Sequence, residues 1–337
     1  MPIKRVLTEL GFENLSIVKE QENSDGDFPT TPYPNPETKQ VFELALEMAK
    51  NINPDIIFGT DPDADRIGVI VKDNSGEYKV LTGNETGILL AHYMLKSLKD
   101  RNELPENAAV IKTIVTTEAV KNIVESFNAK LIDTLTGFKY IGEKIKEFEE
   151  TNSNTFIFGL EESYGYLAGT FVRDKDAVVA ATLITEMTLY YKEKGLTLYE
   201  ALINLYEEYG YTKEALVSIE LQGKEGQAKI AKCIDTLRND KVTEINGIKV
   251  VKAFDYKLSE EVSYENNDVT KSEINLPKSN VLKYILEDDS WFVVRPSGTE
   301  PKMKVYLSIV GESLKSSEEK INAFKEDVMD KISNILN

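Results

Sequence analysis

Apolar residues recur along the chain with two different periods. Runs of strand length at 56–58 and 67–71 flank the polar stretch Thr60 to Arg66. Further runs at 109–114, 129–132 and 155–158 alternate with helix-length segments, the pattern of an α/β arrangement. Helices are predicted over 6–10, stopped by Gly11, from about 85 to 99, and from 177 to 192, while 15–18 reads as a short strand. Residues 23–36, rich in Pro, Asn and Asp, cannot form regular structure, and the helical spacing of Val41, Leu44, Ala45 and Met48 follows them.

The pattern changes after residue 210. A polar helix and Gly223-Lys224-Glu225-Gly226 suggest a linker. Beyond it, strands are predicted at 248–254, 281–286, 291–294 and 303–309 around one helix. That helix has Ser316 three residues before Glu319, a capping-box spacing, and Ile321, Phe324, Val328 and Ile332 on one face. The expected fold is α/β: consecutive mixed α/β domains over 1–82 and 83–212, a linker region at 213–244, and a smaller α+β domain over 245–337.

Composition adds constraints. At 337 residues, 41% hydrophobic and 29% charged, the chain has room for two or three cores. Forty basic against 57 acidic side chains give a formal charge of -17, which disfavours nucleic acid and anionic membranes as partners. The lone cysteine, Cys233, excludes an internal disulfide and reads as a structural thiol in a reducing, cytoplasmic setting. No segment has the apolar length of a secretory signal or membrane span.

Three motifs have chemical potential. In Gly59-Thr60-Asp61-Pro62-Asp63-Ala64-Asp65-Arg66 three carboxylates stand at alternate loop positions, a concentration of anions that calls for a hard cation such as Mg2+; a plain acidic turn is the alternative. An EF-hand is excluded, because its sixth position would be Arg66 and its twelfth Lys72. In Gly159-Leu160-Glu161-Glu162-Ser163-Tyr164-Gly165 the carboxylates suit sugar hydroxyls, although an acid-rich helix N-terminus explains the same letters. Arg295-Pro296-Ser297-Gly298-Thr299-Glu300-Pro301-Lys302 offers backbone N–H groups, hydroxyls and a guanidinium to a phosphate, with Lys302 and Lys304 nearby; a polar hairpin is the alternative. Thr134-Leu135-Thr136-Gly137-Phe138-Lys139 and Arg173-Asp174-Lys175-Asp176 contain lysines suited to proton transfer or to a solvated loop. His92 reads as structural.

In their order these motifs resemble the α-D-phosphohexomutase superfamily, and most of all its bacterial phosphoglucomutase/phosphomannomutase branch. Phe28-Pro29-Thr30, Pro34-Asn35-Pro36-Glu37 and Leu81-Thr82-Gly83-Asn84-Glu85-Thr86-Gly87 extend the resemblance over essentially the whole chain. It implies Asp61, Asp63 and Asp65 as Mg2+ ligands with Arg66 beside them, Glu161 and Ser163 on sugar hydroxyls, and Arg295, Ser297, Gly298 and Thr299 on the non-transferring phosphate. Thr136, Gly137 and Lys139 would follow the sugar's orientation, and Lys175 would transfer protons.

The implied reaction moves a phosphoryl group between the 1- and 6-positions of a hexose phosphate through a bisphosphate, with glucose 1,6-bisphosphate as activating intermediate. Its donor is a phosphoserine in a Ser-His-Asn-Pro context ahead of the metal domain. The only histidine here is His92, between Ala91 and Tyr93, so that segment is absent. The expectation is therefore a chain inactive alone that works with the phosphoserine domain. The alternatives are a non-catalytic phosphosugar-binding protein and the C-terminal subunit of a split mutase. The Glu161–Tyr166 segment leans toward glucose, with mannose second.

Overall fold

A computed structural model describes residues 2–265, 268–298 and 300–336. The chain divides into two compact units, Met1–Tyr209 and Gly210–Asn337. In the first, helices α1 (Pro2–Glu9) and α2 (Glu43–Ile52) precede a three-stranded antiparallel sheet of β1 (Ile56–Thr60), β2 (Ile67–Lys72) and β3 (Tyr78–Leu81). β2 is the middle strand and is buried from Ile67 to Val71, which explains an uninterrupted apolar run where a half-exposed strand would alternate. Residues 15–18, expected as a strand, lie outside every strand: Leu15–Val18 has no ladder partner among the described residues, and alternation alone cannot supply one.

α3 (Gly83–Asp100) begins with a reciprocal capping box. Thr82 Oγ1 accepts from the Glu85 N–H at 3.1 Å, and the Glu85 carboxylate accepts from the Thr82 N–H at 2.8 Å. Then β4 (Ala108–Thr113), α4 (Ala119–Ser126), β5 (Lys130–Thr134), α5 (Phe138–Thr151), β6 (Thr155–Glu161), β7 (Gly165–Ala168), α6 (Ala177–Glu193) and α7 (Leu198–Tyr209) follow. The sheet order is β5-β4-β6-β7, with β5, β4 and β6 parallel and β7 antiparallel to β6. α5 lays Phe138, Ile141, Ile145 and Phe148 on Ala109, Ile111 and Phe156. The carboxyl ends of β5, β4 and β6 thus converge, and in open α/β sheets this is where ligands bind.

The second unit is α+β: β8 (Tyr211–Glu220), α8 (Gly223–Asn239), β9 (Glu244–Ile245), β10 (Ile248–Asp255), β11 (Glu260–Glu265), β12 (Asp268–Glu273), β13 (Leu282–Leu286), β14 (Trp291–Pro296), β15 (Lys302–Gly311) and α9 (Leu314–Leu336). Its strands pair antiparallel in the order β12-β11-β10-β13-β14-β15-β8, with β9 on β10. Residues 213–244, read from sequence as a linker region, hold most of β8 and all of α8. β8 runs the length of β15, and α8 buries Ile230, Cys233, Ile234 and Leu237 in the core. Cys233 is accordingly a packed thiol, its pKa pushed up to about 11 by burial. The polar outer faces of this edge strand and helix, with a glycine at the start of each connection, produced the linker-like letters. The cap of α9 is also displaced: the Ser313 hydroxyl accepts from the Ser316 N–H at 3.2 Å, so Ser313 takes the position expected of Ser316.

Trp291, the only tryptophan, is buried in this second unit and reports on it by fluorescence. Phe324→Ala, which removes a fully buried ring packed edge-on to Phe292, is expected to cost about 3–5 kcal/mol, against about 1 kcal/mol for Ser313→Ala. Urea unfolding followed at Trp291 checks both values.

Candidate functional site

β1 and β2 pair from Ile56↔Val71 to Thr60↔Ile67, so 61–66 is the loop of a tight hairpin. Asp61 folds it: Oδ1 accepts from the N–H groups of Asp65 at 3.1 Å and Arg66 at 3.0 Å, and its carbonyl accepts from the Ala64 N–H at 3.1 Å. Ala64 takes a left-handed φ of 55°, which turns Asp63 and Asp65 back toward Asp61. The three side chains each present an oxygen, all within 4.8 Å of one another. Burial, with Asp65 and Asp63 adding and the Arg66 N–H opposing, pushes the Asp61 carboxyl up to about 6.

Two cations flank the loop. Lys175 Nζ is 2.8 Å from Asp65 Oδ2, and Arg66 Nε stands 3.5 Å from Asp61 Oδ2 and 3.7 Å from Asp65 Oδ1. Asp65 Oδ1 is nevertheless buried with no hydrogen-bond partner among the described residues. A buried carboxylate oxygen that accepts no hydrogen bond, beside two further carboxylates, is costly by itself and fits a divalent cation that prefers oxygen ligands. Mg2+ or Mn2+ suits this donor set.

Backbone hydrogen bonds tie the acidic loop to its neighbours. The Ile67 N–H donates to the Tyr164 carbonyl at 3.1 Å, the Ala177 N–H to the Ala64 carbonyl at 3.0 Å, and the Asp176 N–H to the Tyr166 carbonyl at 2.9 Å. Asp176 then caps α6 by accepting from Val178 at 2.8 Å and Val179 at 3.0 Å. The Lys175 stem crosses Gly165 so closely that a Cβ there would fall 2.2 Å from Lys175 Cδ, and only glycine admits the lysine to the acidic loop. Burial by itself would lower the Lys175 pKa, but Asp65 and Asp174 outweigh it and raise it.

Glu161 ends β6 and, with 162–164, forms the turn to β7; no helix begins there, so the helix-terminus reading of the acids does not hold. Glu161 Oε1 accepts from the Gly137 N–H at 3.0 Å, which fastens the 134–139 segment to this turn. Burial above all, then the neighbouring Glu162, pushes its carboxyl up to about 7 against the Gly137 N–H and Lys175. Ser163 is half-buried in the same turn, and Thr136 Oγ1 is buried without a hydrogen-bond partner among the described residues. Lys139, on the first turn of α5, lines a surface hollow with Tyr140, Glu143, Lys146 and Arg173.

In the second unit, Arg295 and Pro296 pair with Lys304 and Met303 at the end of the β14–β15 hairpin. The Ser297 N–H donates to the Lys302 carbonyl at 2.7 Å, the Ser297 hydroxyl accepts from the Glu300 N–H at 3.2 Å, and Arg295 Nη1 reaches the Tyr306 hydroxyl at 3.5 Å. A Cβ on Gly298 would meet nothing within 4 Å, so the loop's outer side is open. Thr299 lies outside the described residues. His92 is structural, its ring 3.1 Å from the Tyr191 hydroxyl and edge-on to Phe127.

Two polar residues escaped the sequence reading as parts of the site. Lys112, fully buried in β4, pairs with Asp133 at 2.9 Å and Glu118 at 3.0 Å, beside Thr113 and Thr116, whose hydroxyls reach Glu162 at 3.4 and 3.3 Å. Glu37 pairs with Arg66 at 3.2 Å. An isolated lysine within an apolar run was a signal for the first; the motif Pro34-Asn35-Pro36-Glu37 contained the second.

Family models of phosphoglucomutase/phosphomannomutase match almost end to end: alpha/beta/alpha domain II over residues 1–76, alpha/beta/alpha domain III over 82–209 and the C-terminal domain over 235–331. A phosphoglucomutase of Staphylococcus haemolyticus is 38% identical over 91% of this chain and 54% of its own length, and one of Staphylococcus aureus strain USA300 is 36% identical over 95% and 56%. The chain spans about half the length of the curated relatives it matches. Among solved structures, a phosphoglucomutase/phosphomannomutase family protein of Burkholderia thailandensis superposes with a TM-score of 0.65 at 16% identity, over 99% of this chain and 57% of that one. Parafusin of Paramecium gives 0.59 at 19% identity, over 90% and 50%. At these identities the structures speak for the fold.

The raised Glu161 pKa has a signed consequence. Between its ordinary 4.5 and about 7 the folded chain keeps a proton that the unfolded chain releases, so this group's contribution to stability falls as pH rises through that window. Glu161→Gln removes the effect. Its unfolding temperature is expected to exceed the parent's by several degrees at about pH 8, and the gap to close toward pH 4.5, as measured by thermal unfolding without divalent cation.

Proposed function

The chain belongs to the phosphoglucomutase/phosphomannomutase family, and we propose that it forms the cation-, sugar- and phosphate-binding parts of a phosphohexomutase. The reaction is transfer of a phosphoryl group between the 1- and 6-hydroxyls of a hexose phosphate through a bisphosphate, with glucose 1,6-bisphosphate as activating intermediate. The names of the staphylococcal relatives and the Glu161–Tyr166 segment favour glucose as the hexose. In this reading residues 1–82 contain the cation loop, 83–212 the sugar loops and 245–337 the phosphate loop. No helix among the described residues is long and apolar enough to cross a membrane, and the proposed setting is the cytoplasm.

Asp61, Asp63 and Asp65 would hold Mg2+, which when bound supplies positive charge to the oxygens of the phosphoryl group in transfer. Glu161 and Ser163 accept from and orient the sugar hydroxyls, while Thr136, Gly137 and Lys139 follow the sugar as it turns over. Lys175 exchanges the proton at the reacting hydroxyl. Paired with Asp65 it rests protonated, and release from Asp65 lowers its proton affinity so that it can donate; once neutral it can take the proton back. Arg66 adds positive charge beside the transferring group. Arg295, Ser297, Gly298 and Thr299 hold the phosphate that is not transferred.

The observation that carries this reading is the joining of Lys175 to Asp65 at 2.8 Å, with Glu161 and the acidic loop held to the same turn. The family's phosphoryl donor stands in Ser-His-Asn-Pro, and no such segment occurs among these 337 residues. Pure chain is therefore expected to bind phosphosugar and not to interconvert glucose 1-phosphate and glucose 6-phosphate. Isothermal titration of glucose 1,6-bisphosphate with Mg2+ is expected to give saturable binding that Arg295→Ala abolishes. Binding indifferent to Arg295→Ala, or none by a folded chain, contradicts the proposal. Sustained turnover by the pure chain contradicts the placement of the donor.

A further inference from the structure

Arg66 poses a physical problem for a cation site. A guanidinium within 4 Å of two ligand carboxylates is a built-in competitor for the oxygens a metal needs, and a bidentate Arg–carboxylate pair is among the stronger polar contacts a protein makes. Here that pair is not formed. Nε stands 3.5 Å from Asp61 Oδ2 and 3.7 Å from Asp65 Oδ1, beyond hydrogen-bond distance, while Nη1 donates to Glu37 Oε1 at 3.2 Å. Glu37 draws the outer end of the guanidinium away from the acidic loop.

The position of Glu37 is itself built. Asn35 Oδ1 accepts from the Glu37 N–H at 3.0 Å, and the Asn35 carbonyl accepts from the Thr38 N–H at 3.0 Å, closing a turn at the end of Pro34-Asn35-Pro36-Glu37. That turn lies on the β1–β2 hairpin where Gly59 and Gly68 face each other in register. A Cβ on Gly68 would come 2.7 Å from the Pro36 carbonyl oxygen and 2.9 Å from Phe42 Cζ, and one on Gly59 would come 3.1 Å from Phe42 Cε1. Side chains at these positions would push the segment off the strands and move Glu37 out of reach of Arg66. The facing glycines, the Pro-Asn-Pro turn and buried Phe42 thus set the place of one carboxylate.

We propose that Glu37 is a positioning residue for the cation site, holding Arg66 off Asp61 and Asp65 so that their oxygens stay open to a divalent cation. The inference rests on the reading of Asp61, Asp63 and Asp65 as that site. Without the Glu37 charge, the guanidinium swings onto Asp61 and Asp65 and competes with the metal. Glu37 acts through Arg66 and touches no ligand.

The test is a double-substitution cycle on the full chain, titrated with Mn2+ alone, with free Mn2+ counted by its electron paramagnetic resonance signal. Glu37→Gln is expected to weaken binding about three- to tenfold, Arg66→Gln to tighten it, and Glu37→Gln added to Arg66→Gln to have no further effect. Glu37→Asp keeps the charge but withdraws it by one methylene, and is expected to weaken binding as Gln does. If Glu37→Gln weakens binding equally with and without Arg66, the effect is the through-space field of a carboxylate and the proposal fails. Unchanged or tighter binding in Glu37→Gln, or full affinity in Glu37→Asp, also overturns it. No Mn2+ binding by the unsubstituted chain would remove the site reading itself, an outcome distinct from failure of the cycle. Circular dichroism of each variant separates loss of the fold from loss of the site.

Discussion

Three like charges brought together at the tip of a β-hairpin repel one another, and much of the first unit is arranged around that fact. Asp61 is committed to folding the loop through two backbone N–H groups, yet burial and its neighbours still push its carboxyl up to about 6. The protein answers with fixed positive charge at controlled distances. Lys175 is in contact with Asp65, and Arg66 is near but held aside by Glu37. What remains is Asp65 Oδ1, buried without a hydrogen-bond partner among the described residues, a feature that suits the loop to a cation.

The scaffold turns this local demand into a shared geometry. Lys175 reaches Asp65 only because Gly165 lets its stem pass, and Gly165 opens β7, paired with Glu161 across the turn that contains Ser163. That turn is bonded to the strand leaving the acidic loop, while Glu161 holds the Gly137 N–H at the start of α5. A displacement of any one segment is therefore transmitted to the other two through hydrogen bonds of about 3 Å. The acidic loop, the Glu161 turn and the 134–139 segment are coupled by construction.

Much of this was legible in the sequence because it depends on local letters. Apolar runs located β1, β2, β4 and β6, and alternate carboxylates between two runs gave the acidic loop. What the sequence hid depends on partners far along the chain. Glu37 and Arg66 are 29 residues apart and meet only because Gly59 and Gly68 admit the Pro-Asn-Pro turn. Lys112 follows four apolar residues in its strand, and its ion pairs come from the β5 and α4 regions. β8 and α8 read as a linker because an edge strand and an outer helix show polar faces; their burial depends on β15, which starts only at Lys302. Leu15–Val18 has the opposite history, a strand-like run without a partner to pair with among the described residues.

The most direct test of the central claim is the anomalous diffraction of Mn2+ in crystals of the chain. The account predicts one strong peak bonded to an oxygen from each of Asp61, Asp63 and Asp65 at about 2.0–2.3 Å, with the Lys175 ammonium moved away from Asp65 Oδ2. Crystals soaked at saturating Mn2+ that show no peak at this loop, with Lys175 still on Asp65, would contradict it.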